Sequence, residues 1–184
     1  MIQNFDAWKE SKQINEAEGQ AYEYGCAMLY FNMPQMQQLH ESIAQEDIFT
    51  KEGDRSFGLE TEPHVTLLYG LHHDVDHDGV VSACQNCAYP NLTLKNASCF
   101  NNDEYDVLKF DVDSPELHSV NAELSKFPHT TNFPDYHPHS TVAYLKKGTG
   151  QKYMEMLKGQ EHKVTPNKIV YSMASGEKRE YPII

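Results

Sequence analysis

The chain has 184 residues, 39% of them apolar, which is the length of one domain with enough apolar material to close a core. Its formal net charge of −12 argues against broad electrostatic capture of long RNA or DNA and leaves room for a small anionic ligand in a local polar pocket. No apolar run reaches the roughly 18 residues of a membrane-spanning helix. Residues 1–20 form a polar extension without the apolar stretch of a secretory signal, so the expectation is a cytoplasmic protein with a single domain over 21–184.

The first expected element is a buried strand over 24–31, after which Pro34 opens a helix over 35–45 with Met36, Leu39 and Ile43 at helical spacing. A polar loop leads to a strand over 64–69, then to a helix within 78–88 that Pro90 breaks. Two strands follow, 91–100 and 106–113. Ser114 and Pro115 are an N-cap and a first helical residue, and Leu117, Val120 and Leu124 continue that helix to Phe127. Past a Pro-rich loop comes a strand over 139–145, then a short helix over 151–157, and further strand over 163–173 interrupted at Pro166. The order is β-α-β-α-β twice, an α+β chain whose two halves form facing lobes with helices outside.

Two segments stand out, Pro63-His64-Val65-Thr66-Leu67 and Pro138-His139-Ser140-Thr141-Val142. Side chains alternate faces along a strand, so His64 and Thr66 point one way, as do His139 and Thr141, while Tyr144 is expected to face away from Thr141. No repeat beyond the His-x-Thr motif is evident. A lone copy is an ordinary strand-edge histidine; two copies, one per half, make a chemical set. One neutral imidazole can take a proton from an attacking hydroxyl or water while the other, protonated, gives one to the leaving oxygen. The threonine hydroxyls can donate to the non-bridging phosphate oxygens. No metal or cofactor is required.

Two other patterns are weaker. Asp74, Asp76, Asp78 and Gly79 match the opening of a calcium loop, but Gln85 stands where the bidentate glutamate belongs and a strand precedes it; a solvated loop capping the next helix through Asp78 is the plainer expectation. His72, His73 and His77 make adventitious metal binding conceivable in vitro. Cys84 and Cys87 have zinc-knuckle spacing without a second close pair, so with Cys26 and Cys99 they are expected to be free thiols.

The paired motifs resemble those of the 2H phosphoesterase superfamily, which includes the LigT-like RNA cyclic phosphodiesterases. The resemblance runs from about Tyr24 to Tyr181 and implies a bilobal fold of two antiparallel sheets facing a central cleft, with His64, Thr66, His139 and Thr141 as catalytic residues. Within the superfamily, the strand 24–31, the stretch 137–148 and the ending 171–179 look most like the phage anti-CBASS enzymes, which degrade cyclic di- and trinucleotide immune messengers without a metal. That likeness implies base-holding aromatic side chains and a polar C-terminal contact. Tyr24, Tyr136, Glu177 and Lys178 are the matching positions, with a core tyrosine and a solvated charge cluster as the plain alternatives. The chain departs from the pattern in having no tryptophan near the motifs; Trp8 lies in the extension, and Phe100 is a substitute. RNA ends bearing 2′,3′-cyclic phosphates are an alternative substrate, and a non-catalytic cyclic nucleotide sponge is an alternative of another class. No long nucleic acid or membrane partner is expected.

Overall fold

The computed structural model describes residues 23–54 and 56–183, so the 1–20 extension, Trp8 included, lies outside the described residues. Gly25–Phe31 (β1) is buried at all seven positions, the pattern of a strand covered on both faces. The helix expected over 35–45 covers only Met36–Glu41 (α1), and a 3₁₀ turn, Gln45–Asp47, takes up the remainder. The other elements are His64–Leu71 (β2), His77–Gln85 (α2), Leu92–Asn101 (β3), Tyr105–Val112 (β4), Pro115–Leu124 (α3), His139–Lys146 (β5), Gly150–Met156 (α4), His162–Val164 (β6), Pro166–Ser172 (β7) and Lys178–Pro182 (β8).

Ser114 caps α3 as expected, its hydroxyl accepting from Leu117 N at 3.4 Å. The cap of α2 is Asp76, which accepts from Gly79 N at 3.0 Å, and not Asp78. The helix begins at His77, so Asp78 already sits in its first turn and instead pairs with Arg179 at 3.1 Å.

The strands form two four-stranded antiparallel sheets, β2-β1-β7-β8 and β5-β4-β3-β6. The expected two-sheet α+β architecture is present, but the sheets are not halves of the chain. The first joins the two earliest and the two latest strands among the described residues and the second holds the four between them, because β1 takes β2 on one edge and β7 on the other. The interruption at Pro166 is the crossing between sheets: β6 ends at Val164 in one and β7 starts at Pro166 in the other. A proline with no N–H to donate suits the first position of a strand. The sequence carries no signal for strand β8, whose exposed and half-buried Lys-Arg-Glu-Tyr-Pro run has no apolar stripe.

Helix α3 packs on β2 and α2 on α3, while α4 lies against β3 and β4 and α1 against β5, so helices flank both sheets as expected. One continuous core joins both sheets to all four helices, with Leu29, Leu67, Phe110 and Leu145 at its centre. No helix among the described residues is long and apolar enough to cross a membrane.

Candidate active site

The two motif strands occupy the same place in their sheets, each at one end of the order and each paired with the next strand inward, β1 or β4. Both break register just after the motif threonine. Ala27 and Met28 pair with Leu68 and Thr66, leaving Leu67 as an extra residue; Leu108 and Lys109 pair with Ala143 and Thr141, leaving Val142 extra. The carbonyl of each bulged residue is taken up from outside the sheet. Asn121 Nδ2 donates to Leu67 O at 2.7 Å, and both His40 Nε2 (3.2 Å) and Glu60 N (3.0 Å) donate to Val142 O.

A bulge shifts the alternation by one, so the third residue after each threonine returns to the motif face. Tyr69 pairs with Cys26 on the face that carries Thr66, and Tyr144 pairs with Val107 on the face that carries Thr141. The expectation that Tyr144 faces away is therefore corrected. The repeat is also longer than His-x-Thr: Pro-His-x-Thr followed by two apolar residues and Tyr, at 63–69 and at 138–144. The two tyrosines differ in setting. Tyr144 is 1% exposed within an aromatic cluster with Phe57 and Tyr105, whereas Tyr69 is half-buried.

Each histidine is oriented by the carbonyl two residues before it. Nδ1–H of His64 donates to Glu62 O and Nδ1–H of His139 to His137 O, both at 2.8 Å. That bond fixes Nε2 as the nitrogen that can exchange a proton. Aromatic rings hold both imidazoles. Tyr30 stacks on His64 at 5.1 Å and 22°, and Phe100 meets His139 edge-on at 5.0 Å and 88°. Burial, with the Lys109 ammonium and His64 as like charges, pulls the His139 imidazole down to about 4, against the opposing His137 carbonyl bond and Asp111.

A cavity of about 270 Å³ opens beside the motifs, lined by Thr66, Tyr69, Phe100, Phe133, Tyr136 and His139 among others. A more open recess of about 490 Å³ shares Phe100, Tyr136 and His137 with it and is otherwise bounded by charged and polar groups such as Lys95, Asn96 and Asp113. The outer wall of the cavity is the loop before β5. It is docked on β2 through Thr130 N to Gly70 O (2.9 Å), at a glycine whose φ of 101° no β-carbon would tolerate there, since one would meet Thr130 O at 1.8 Å.

A profile of the 2′-5′ RNA ligase superfamily matches residues 33–169, a span that contains both motif strands. The chain belongs to that superfamily. It is the group of LigT-like 2H phosphoesterases, and phosphoesterase activity is what its members share. Among solved structures, Kluyveromyces marxianus Usb1 with uridine monophosphate is similar at a TM-score of 0.54 and 9% identity, over 88% of this chain and 99% of that one. Escherichia coli LigT complexed with 3′-AMP is similar at 0.45 and 12%, over 88% and 97%. No curated protein matches the chain in sequence.

Within this 2H framework the sequence-derived site residues separate. His64 and Thr66 on β2 and His139 and Thr141 on β5 lie on strands in contact, with His64 near enough to act on the charge of His139. Thr66 and His139 line the cavity, His64 and Thr141 do not, and Thr66 is hydrogen-bonded to the Cys26 thiol while Thr141 is only 4% exposed. Tyr136 lines the cavity and donates its hydroxyl to Thr66 O at 2.8 Å. Tyr24 stands just before β1, edge-on to Tyr69 at 6.0 Å, one ring back from the cavity. Glu177 sits in the turn before β8, paired with Arg179 at 3.0 Å. Lys178 pairs in register with Ser172, itself paired with Cys26, so it shares the motif face at the far edge of the sheet. Neither Glu177 nor Lys178 is among the described residues lining the two pockets.

Residues that the sequence reading missed are Tyr30, Lys109 and Asp111. A lysine inside the apolar run Val107-Leu108-Lys109-Phe110 was the available signal. Burial pushes the Cys26, Cys84 and Cys99 thiols up to about 12, so none supplies a thiolate near neutral pH. No group of three metal-ligating side chains is assembled among the described residues.

Proposed function

We propose that the chain is a metal-independent phosphodiesterase that opens 3′–5′ linkages of cyclic di- and trinucleotide messengers such as 3′,3′-cyclic GMP-AMP, a phage counter-defence against CBASS acting in the host cytoplasm. The observation that carries the reading is the pair of matched histidines, each with Nδ1 tied to a backbone carbonyl at 2.8 Å, beside an aromatic-lined cavity. The cavity and its recess lie on either side of Tyr136 and Phe100, which suits a ligand presenting a base to each. The charge of −12 favours such a compact substrate over a long polyanion.

In the first step one imidazole takes the proton of the ribose 2′-hydroxyl as its oxygen bonds to phosphorus. The bond from phosphorus to the 5′-oxygen breaks, and the second histidine gives that oxygen its proton. The products are a 2′,3′-cyclic phosphate and a 5′-hydroxyl, and in a second step water opens the cyclic phosphate with the roles exchanged. Each proton transfer is worth roughly 10²–10⁴ in rate. The two histidines account for every proton moved, so the scheme needs no Lewis acid.

The test is incubation of purified protein with 3′,3′-cyclic GMP-AMP in EDTA. Linear product from the wild type and none from His64→Ala is expected; intact substrate throughout sinks the reading.

A second reading is favoured by the superfamily itself and by the likeness to Usb1: an RNA 2′,3′-cyclic phosphodiesterase or 2′-5′ RNA ligase-like enzyme. Binding of a short RNA that weakens steeply with salt would favour it, because many phosphate contacts release many counterions. A sponge without catalysis has no use for two oriented acid-base histidines; release of intact ligand on denaturing the complex would favour it.

A further inference from the structure

The two motifs repeat the same backbone geometry, but the residues paired with them do not repeat. Against His64 and Thr66, β1 places Tyr30 and Met28; against His139 and Thr141, β4 places Asp111 and Lys109. Lys109 is 6% exposed, a rare setting for an ammonium. Its donors are all spoken for. Nζ lies 2.6 Å from Asp111 Oδ1, 2.8 Å from Ser98 Oγ and 4.4 Å from the centre of the Phe100 ring, which stands perpendicular to the His139 ring at 5.0 Å. Held this way it is a fixed charge beside the histidine, on the wall of the recess.

The sign of its influence follows from exposure. Asp111, the counter-charge, has a side chain 45% exposed against 8% for Lys109, so solvent screens the carboxylate more than the ammonium. The other titratable groups around the His139 site are His64 across from it on β2, His137 and Asp135 in the preceding loop, and His118 of α3 across the recess. On β3, Lys95 pairs in register with Asp111 and lines the same recess, its Nζ held 3.0 Å from Asp113, while Ser98 and Phe100 add neutral groups to this face. In the other lobe His64 lies against the Tyr30 ring, and Lys168, paired with Glu180 at 3.0 Å, holds its Nζ over that ring 5.1 Å from the centre.

We propose that Lys109 is a positioning residue that sets the direction of proton transfer, holding His139 neutral as the base of the first step and leaving His64 as its acid. This rests on the phosphodiesterase reading for the step it orders, but the charge effect on His139 does not depend on any substrate.

Two measurements test it. Histidine ring titration by NMR on the ligand-free protein is expected to show the His139 midpoint rising by about 1 unit in Lys109→Met and falling in Asp111→Asn. The double variant Lys109→Met/Asp111→Asn leaves no unpaired buried charge and is expected to fold and to show the rise as well. A His139 midpoint that rises in neither Lys109 variant overturns the proposal, whether or not any cyclic nucleotide is cleaved.

The second measurement uses a dinucleotide whose bridging 5′-oxygen is replaced by sulfur, a leaving group that needs no acid. His64→Ala is expected to recover at least 10²-fold relative to its activity on the oxygen substrate, and His139→Ala to stay inactive. Recovery of His139→Ala instead, or of neither, overturns the direction. Failure of the wild type on both substrates, with the titration shift intact, removes the substrate reading alone.

Discussion

Strands β2 and β5 each bulge one residue past the motif threonine and each turn a histidine with the carbonyl two residues back, yet one histidine lies on a tyrosine ring and the other beside a buried lysine. The likeness and the difference have separate causes. In the proposed mechanism two proton-transfer groups approach one phosphate from opposite sides with equal accuracy, which the same backbone used twice supplies. In that mechanism they also hold opposite protonation states as the reaction begins, which different neighbours favour. A repeated scaffold with unrepeated surroundings satisfies both.

The strongest way to break the likeness is to remove each histidine in turn. His64→Ala and His139→Ala are each expected to lower kcat/KM by roughly 10²–10⁴ on the substrate that the wild type cleaves, with folding unchanged by circular dichroism. Retention of activity in one of them would show that the two strands are not equivalent in use.

The paired tyrosines sharpen the comparison through stability. Tyr144→Ala empties a site ringed by Phe57 at 5.2 Å and Tyr105 at 5.6 Å and is expected to cost about 3–5 kcal/mol in urea unfolding. Tyr69→Ala, at a half-buried position on the cavity wall, is expected to cost clearly less and to weaken ligand binding instead.

Acid separates the lobes by another route. The folded protein holds His139 at about 4, below the ordinary 6.5, so the unfolded chain takes up a proton that the folded one refuses. The stability that depends on this is complete above pH 6.5 and is lost as pH falls towards 4. His139→Asn is expected to flatten that part of the profile, read as the melting temperature between those limits.

The smallest effect concerns the cavity wall. Tyr136→Phe removes the bond to Thr66 O and is expected to cost about 0.5–1.5 kcal/mol in thermal or urea unfolding.

Much of this was written in residue types. The Pro-His-x-Thr spacing, the Ser114-Pro115 helix start and the apolar run of β1 each follow from local chemistry that a sequence displays. The bulges do not, because Leu67 and Val142 are ordinary strand residues whose extra place in the register is decided by the partner strand and by Asn121, His40 and Glu60 reaching in from elsewhere. Simple alternation therefore sent Tyr144 to the wrong face. Sheet membership was hidden for a related reason: Pro166 marks a break, but only the free edge of β1 determines that the chain beyond it changes sheets. Of the ligand-holding positions, Tyr136 reaches the cavity because its loop folds back on β2, while Glu177 is drawn to Arg179 by a contact no spacing rule contains.

The position of β1 between β2 and β7 also has a consequence during synthesis. Its Leu29 pairs with Val65 on one side and with Ile169 on the other, so a nascent chain carries a fully apolar strand with one bare edge until β7, more than 130 residues further on, has been made. Such an edge is a template for pairing with another chain. The arrival of residues 166–172 thus closes the edge of β1 and ends that exposure.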